Sequence, residues 1–327
     1  MPELPEVETV VRSIRPRLEG RRIVAARVQW RRTVGSRDFE TRVEGARIAR
    51  VWRRAKYFVF DLERGGGSCG AIVGHLRMTG RVHVEPPSFD VGAYGKVELA
   101  LDDGRVLFFV DVRKFGRFEF VRDPARVLGA LGPEPLSDEL TPDWLLAALR
   151  SKRRQLKPLL LDQSFLAGLG NIYVDEALHR AGLHPLSRSE RTTPEQAALL
   201  CRAIRAVLGE AIEREGSSFD VFYRTPEGNP GRFQEEFRVY GRDGAPCRAC
   251  GTTIERLVVG QRGTHVCPSC QPRSRRGRAA APRDARPRHV GASVRRKSVR
   301  KRPRASATAG RSGAAGSTAG RTSTGRA

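Results

Sequence analysis

Two sets of residues have the types and spacing to do chemistry. The first opens the chain as Met-Pro-Glu-Leu-Pro-Glu. An initiator methionine ahead of a small residue is usually trimmed, which leaves Pro2 as a terminal secondary amine. Glu3 and Glu6 follow three residues apart, a spacing that puts two carboxylates on one side of a helix's first turn. Val7, Val10, Val11 and Ile14 continue at helical period. Pro5 is tolerated in a first turn, and Gly20 is a C-terminal stop. The helix dipole favours negative charge at that end and disfavours an ammonium. A terminal amine has a reference pKa of about 7.7–8.0, so a small downward push makes it a nucleophile near neutrality. Local chemistry alone also fits a plain, well-started helix with acids where acids belong.

The second set is Cys247, Cys250, Cys267 and Cys270. These are two Cys-x2-Cys knuckles separated by sixteen residues. Four thiolates so spaced satisfy one tetrahedral Zn²⁺ in a closed, structural site. The insert, Thr253-Ile-Glu-Arg-Leu-Val-Val and then Thr264-His-Val, reads as a hairpin with Gln261-Arg-Gly at its turn. Arg262 at the tip of a rigid hairpin suits a phosphate. Cys69 and Cys201 read as ordinary buried thiols. The pattern belongs to a reducing compartment rather than to a secreted disulfide framework.

The elements that must position these groups follow from periodicity and turn chemistry. From about Arg22 to Leu101 the chain reads as strands, among them Val28-Gln-Trp, Ile48-Ala-Arg-Val-Trp and Tyr57-Phe-Val-Phe-Asp-Leu. Gly65-Gly-Gly and Asp102-Asp-Gly mark turns, the second closing a hairpin between Val97–Leu101 and Val106–Val110. This predicts a β-sandwich or flattened barrel with the first helix laid against it. Lys56 opens one strand, and His75–Gly80 and Asp111–Gly116 are loops that carry Met78, Arg113 and Phe115. Taken alone, a loop Met or Phe folds back onto the core. Gly132-Pro-Glu-Pro-Leu is a stiff linker. Beyond it the period turns helical, with Lys152, Arg153, Arg154 and Lys157 forming a basic face. Gly168-Leu-Gly-Asn-Ile-Tyr-Val-Asp-Glu follows, where Asn171 can begin a helix and outward N–H groups can cradle a phosphate. His179 and His184 read as structural. Pro194–Glu213 supplies another helix, and Ser217–Gly231 reads as a mobile loop.

The net charge is +24, of which the stretch from Pro272 onward holds +16 and the remainder +8. A basic body suits a polyanion such as nucleic acid better than an anionic membrane. No apolar run reaches the length of a membrane span, and no signal peptide is expected. The tail is Arg, Ala, Ser, Gly, Thr and Pro, and is expected to be disordered and to add non-specific, salt-sensitive DNA affinity.

Five motifs in order resemble the formamidopyrimidine-DNA glycosylases, the Fpg branch of the Fpg/Nei repair family: the Pro-Glu-Leu-Pro-Glu opening, Arg-Arg-Ala-Lys-Tyr around Lys56, the two loops, the Gly168–Leu178 string and the four-cysteine ribbon with Arg262. The resemblance covers roughly residues 1–271 and implies an α+β multidomain fold. It would have an N-terminal catalytic β-sandwich domain over 1–131, a helix–two-turn–helix DNA-binding domain over 132–237, a zinc finger over 238–271 and the basic tail over 272–327. It implies a bifunctional glycosylase and apurinic-site lyase of base excision repair, acting on oxidised purines in double-stranded DNA through a Pro2 Schiff base. Glu3 would be the acid/base group and Glu6 would position the site. Lys56 and Arg262 would bind flanking phosphates and serve proton transfers. Met78, Arg113 and Phe115 would fill the hole left by an extruded base, and Lys152 and Asn171 would contact the DNA backbone. In the Fpg branch the loop around Ser217–Gly231 folds over the extruded base. Some members carry a DNA-contacting histidine where this chain has Tyr94, so that contact is not transferred. No organic cofactor is implied. The protein is expected to be a cytoplasmic monomer. The alternatives are a Nei-type enzyme for oxidised pyrimidines, which the Pro-Glu-Leu-Pro-Glu opening disfavours, and a non-catalytic zinc-ribbon DNA-binding module.

Overall fold

The computed structural model describes residues 1–218 and 223–273. The expected disorder of the tail falls, from Ser274 onward, outside the described residues.

Helix α1 spans Leu4–Leu18, with Pro5 in its first turn. The Glu3 amide donates to Glu6 Oε2 at 2.8 Å, so an acid satisfies an otherwise orphaned N–H at the helix start. Gly20 follows the end of the helix at φ +85°. Val7, Val10, Val11, Ile14 and Leu18 are buried in the core between the two sheets, each worth about 1.5–3 kcal/mol of transfer free energy. The helix is therefore fixed on the sandwich by the same residues whose period announced it.

The strands follow as β1 (Ile23–Val28), β2 (Arg47–Arg54), β3 (Tyr57–Arg64), β4 (Gly67–His75), β5 (Gly80–Glu85), β6 (Gly95–Leu101), β7 (Val106–Asp111) and β8 (Arg117–Val121). They form two antiparallel four-stranded sheets, ordered β1-β6-β7-β5 and β2-β3-β4-β8. The expected β6–β7 hairpin pairs Leu99 with Leu107 and Val97 with Phe109. Phe58, Phe60, Phe109 and Phe118 stack against one another between the sheets. The strand reading needs correction in two places. The strand expected at Val28–Trp30 ends at Val28, and the stretch beyond holds two short helices, α2 (Arg31–Val34) and α3 (Phe39–Val43). Gly35 at φ +69° closes the first of them, and Phe39 and Val43 bury one face of the second.

After α4 (Ala125–Leu128) the chain is helical: α5 (Pro142–Arg150), α6 (Leu156–Leu160), α7 (Asn171–Arg180) and α8 (Pro194–Glu213). The Thr141 hydroxyl accepts from Trp144 N to begin α5. Thr193 and Gln196 exchange hydrogen bonds to begin α8. Leucines of α5, α6, α7 and α8 make a second core that also takes in Leu4 of α1. The Leu4 amide donates to Gly168 O at 3.1 Å, so the start of the chain is bonded to the turn before α7. Strands β9 (Glu255–Val259) and β10 (Arg262–Val266) form the expected hairpin, with Gln261 at φ +61° in its turn. No helix of the described residues is long and apolar enough to cross a membrane.

Candidate active site and metal centre

A cleft of about 440 Å³ is lined by Met1, Glu3, Lys56, Met78, Asn171 and Arg262 among others. Five separate segments supply these residues: the chain start, the β2–β3 turn, the loop after β4, the first turn of α7 and the first residue of β10. A larger cleft of about 550 Å³ beside β8 holds Asp38, Arg42 and Phe120 but none of the expected residues. Size therefore does not select the site; chemistry does.

Glu3 is buried beside Lys56 and Glu6. Its Oε1 accepts from Ile172 N at 3.1 Å, while Oε2 is buried with no hydrogen-bond partner among the described residues. Burial pushes its carboxyl up to about 7, against the opposing pull of the Lys56 ammonium; the nearby Glu6 carboxylate adds to the rise. A Cβ at Gly170 would lie 2.3 Å from the Glu3 carboxyl carbon, so only glycine lets α7 start against this acid. Pro2, between Met1 and Glu3, is buried. Removing Met1 would turn the Pro2 nitrogen into a terminal amine beside the cleft that Met1 lines.

Glu6 does not line the cleft. It accepts from Glu3 N at 2.8 Å, from Ser217 N at 2.8 Å and from the Tyr173 hydroxyl. Burial raises its carboxyl above the usual range. Its oxygens are committed to α1, α7 and the segment after α8, which is a positioning arrangement. Tyr223 is buried, and its hydroxyl donates to Glu215 O at 3.1 Å. The Tyr223 carbonyl accepts from Ser218 Oγ at 2.7 Å, and Glu227 bonds Ser13 of α1. The expected mobile loop is thus anchored at both ends where described; residues 219–222 lie outside the described residues.

Lys56 lies in the β2–β3 turn rather than within a strand, and follows Ala55 at φ +53°. It is only 5% exposed, not a solvated edge charge. Burial lowers its ammonium, opposed by Glu3 and Glu6 and aided by Arg262 and Arg77. Beneath it, burial holds His75 down at about 3, so that ring is neutral at pH 7.

Lys157 corrects the sequence reading most sharply. The sequence puts it on an exposed basic face with Lys152, Arg153 and Arg154. Those three are exposed, but Lys157 is fully buried. Its ammonium pairs with Asp175 Oδ1 at 2.7 Å and donates to Gly263 O at 3.0 Å. Asn171 Nδ2 donates to the same carbonyl at 3.0 Å, and His265 N donates to Asp175 Oδ2 at 2.9 Å. The hairpin residue after Arg262 is therefore held by a buried ion pair and an amide. Asn171 is the first helical residue, with Gly170 at the cap, so its side chain serves the hairpin and not its own helix. The usable signal was Asp175 and Glu176, two acids inside a helix whose neighbours are apolar. Glu176 accepts from the amides of Arg238, Val239 and Tyr240, fixing the approach to the ribbon.

Met78 lines the cleft, but Arg113, Phe115 and Lys152 do not. Phe115 is 55% exposed, with the Arg113 guanidinium 5.1 Å above its ring. Lys152 follows α5 on the surface, and Tyr94 is exposed.

The four ribbon sulfurs lie within 4.8 Å of one another, with neighbouring pairs at 3.4 and 3.9 Å. A zinc–thiolate tetrahedron has sulfurs about 3.8 Å apart, so the donor set fits one Zn²⁺. His179, read as structural, places Nε2 3.5 Å from Cys247 Sγ. It is a neighbour of the site through α7. Of the two remaining thiols Cys201 is buried, whereas Cys69 is half-buried.

Comparison with known proteins gives three successive family matches: formamidopyrimidine-DNA glycosylase N-terminal domain over residues 1–118, formamidopyrimidine-DNA glycosylase H2TH domain over 131–223, and the zinc finger found in FPG and IleRS over 244–273. A formamidopyrimidine-DNA glycosylase of Chloroflexus aggregans is 47% identical over 277 residues, covering 83% of this chain and 98% of that protein. The crystal structure of MutM (Fpg) from Thermus thermophilus matches with a TM-score of 0.74 at 44% identity, over 84% of this chain and all of that one. Lactococcus lactis Fpg in complex with DNA containing an abasic site matches with a TM-score of 0.75 at 33% identity, over 83% of this chain and all of that one.

Proposed function

The chain belongs to the formamidopyrimidine-DNA glycosylase family, and from that premise we propose that the amine of Pro2 is the nucleophile with which it excises oxidised purines and then cuts the strand. It is a DNA glycosylase with one structural zinc, and its partner is double-stranded DNA carrying a damaged base. The observation that carries the proposal is the cleft at the chain start, where a carboxyl held near 7, a buried lysine and a hairpin arginine meet.

The amine attacks C1′ of the extruded nucleotide, and the C1′–base bond breaks with its electron pair leaving on the base, which takes up the proton that the Pro2 nitrogen loses. Glu3 delivers its proton to the sugar ring oxygen as the ring opens and an iminium forms between Pro2 and C1′. The iminium's charge acidifies the C2′ hydrogen. Loss of that proton expels the 3′ phosphate by β-elimination, and a second elimination expels the 5′ phosphate. Water then releases the sugar fragment and restores the amine. Lys56 and Arg262 neutralise the flanking phosphates and serve the proton transfers. Glu6 positions α1. Met78, Arg113 and Phe115 fill the space of the everted base, and Lys152 and Asn171 approach the backbone. The zinc supplies no chemistry; Cys247, Cys250, Cys267 and Cys270 hold it to keep the hairpin rigid. We divide the chain into a catalytic domain over 1–131, a DNA-binding domain over 132–237 and the ribbon over 238–271. We assign it to the cytoplasm as a monomer on the bacterial chromosome.

Single-turnover excision on duplexes carrying either 8-oxoguanine or an oxidised pyrimidine tests the substrate class. Faster loss of the purine is expected. Preference for the pyrimidine would move the protein to the Nei branch, and no excision of either would leave a DNA-binding module.

A further inference from the structure

Asp111 is the last residue of β7 and is fully buried, yet it does not line the cleft. Its carboxylate has a specific set of partners. Oδ1 accepts from the Thr79 hydroxyl and from Arg113 N at 3.2 Å, and Oδ2 accepts from Gly116 N at 2.7 Å. Arg113 N also donates to Thr79 Oγ1 at 3.1 Å, and Thr79 is itself buried. One side chain thus ties the loop that carries Met78 to the loop that carries Arg113 and Phe115. The two strands beneath are in register, with Gly80 opposite Asp111. A Cβ on Gly116 would lie 2.6 Å from the Phe109 ring, so that residue must be glycine to reach the carboxylate.

Both loops contain a non-glycine residue in the left-handed region, Arg77 at φ +53° and Lys114 at φ +61°. Each is adjacent to the side chains expected to enter the DNA. Such backbone costs of order 1–3 kcal/mol per residue and persists only where its surroundings over-determine it. At Lys114 the Asp111 bonds are that over-determination, since they hold four successive exposed residues, Val112–Phe115, on a buried anchor. At Arg77 the amide donates to His75 Nδ1 at 2.9 Å, and the Asp111 bond to Thr79 fixes the far side of Met78.

We propose that Asp111 is a positioning residue that couples the two loops, so that Met78, Arg113 and Phe115 enter the base stack as one rigid wedge. The inference rests on the reading of those three residues as the wedge. Asp111 touches no substrate; its contribution is to base eversion and not to bond cleavage. A carboxylate is required because three donors converge on it, and Asp111→Asn would turn an N–H₂ toward one of them.

The test separates eversion from chemistry. Stopped-flow fluorescence of a 2-aminopurine beside the lesion reports eversion in a fully paired duplex. Single-turnover excision is measured on that duplex and on one whose lesion sits in an unpaired bulge, already out of the stack. Asp111→Asn and Thr79→Val are expected to slow eversion and excision in the paired duplex by about tenfold or more, with the bulged lesion affected far less. Thr79→Ser, which keeps the hydroxyl, should recover the parent rate. Wild-type eversion in both Asp111→Asn and Thr79→Val would overturn the proposal, as would equal slowing on both substrates. If Asp111→Asn fails to fold, Thr79→Val and Thr79→Ser decide the outcome by themselves. Phe115→Ala separates the wedge from its coupling. A normal eversion rate in Phe115→Ala would remove the wedge reading itself. A defect there beside normal eversion in both Asp111→Asn and Thr79→Val would remove only the coupling.

Discussion

A carboxyl that ordinarily loses its proton near 4.5 and here holds it to about 7 changes both reactivity and stability at Glu3. At neutral pH the group is poised between acid and base, the condition for donating one proton and later accepting another. Excision should therefore decline as pH rises through about 7, and Glu3→Gln, which cannot ionise, should be slow with no such decline. Single-turnover rates between pH 6 and 9 check this. Stability moves in the same direction. Between the unfolded value and 7 the folded protein keeps a proton that the unfolded chain has released, so folding weakens across that window as pH rises. The cost is roughly 3 kcal/mol by pH 8. Glu3→Gln should melt higher than the parent at pH 8 and alike at pH 4; equal melting at pH 8 would deny that burial carries the shift. At this scale the sequence was informative about residue type and silent about environment. Pro2, Glu3 and Lys56 were legible as candidates, but Lys56 as a buried group and Glu6 as a fully bonded one were not. Burial depends on elements that arrive far later in the chain.

Elements read well where a local rule decides them. The period of α1, the span of α8 and the turn glycines of the β3–β4 hairpin all stand in the structure as expected. The reading failed where a tertiary partner overrides a local pattern, and Lys157 is the plainest case. Beside three exposed cations its charge looked solvated; in the fold it meets Asp175 from the next helix and a carbonyl 106 residues away. Removing one partner of such a pair strands the other, at a cost of about 3–5 kcal/mol. Lys157→Met should lose that much in urea unfolding, and should also slow elimination although every cleft residue remains. Unchanged stability would mean that Asp175 finds another partner. The ribbon depends on its metal in the same sense. Elemental analysis should find one zinc per chain, and Cys247→Ser should lose both the metal and DNA affinity. Active, freshly purified protein without zinc would contradict the ribbon reading.

The whole molecule divides charge that binds from charge that reacts. Residues 274–327 hold sixteen Lys or Arg and one Asp, and the described residues that line the cleft all precede them. The boundary follows from Gln271, which is buried, donates to Leu183 O at 2.8 Å and accepts from Cys267 N. A truncation must keep it. Deleting 274–327 should weaken binding to undamaged DNA and flatten its salt dependence, because phosphate neutralisation releases counterions whatever the lesion. Single-turnover excision at saturating enzyme should stay near the parent rate. Arg262→Ala should lower the salt slope by about one unit at most while slowing the bound complex severely. The cleft itself is a property of the assembled chain, since the amine, the acid, the lysine and the arginine come from segments up to 260 residues apart. Its central claim is that Pro2 is the nucleophile. Borohydride reduction during turnover of an 8-oxoguanine duplex, followed by peptide mapping, reads this directly. The predicted result is a cross-link on the terminal Pro2 nitrogen and almost none for a form that retains Met1. A cross-link on Lys56, or equal trapping by the Met1-retained form, would contradict it.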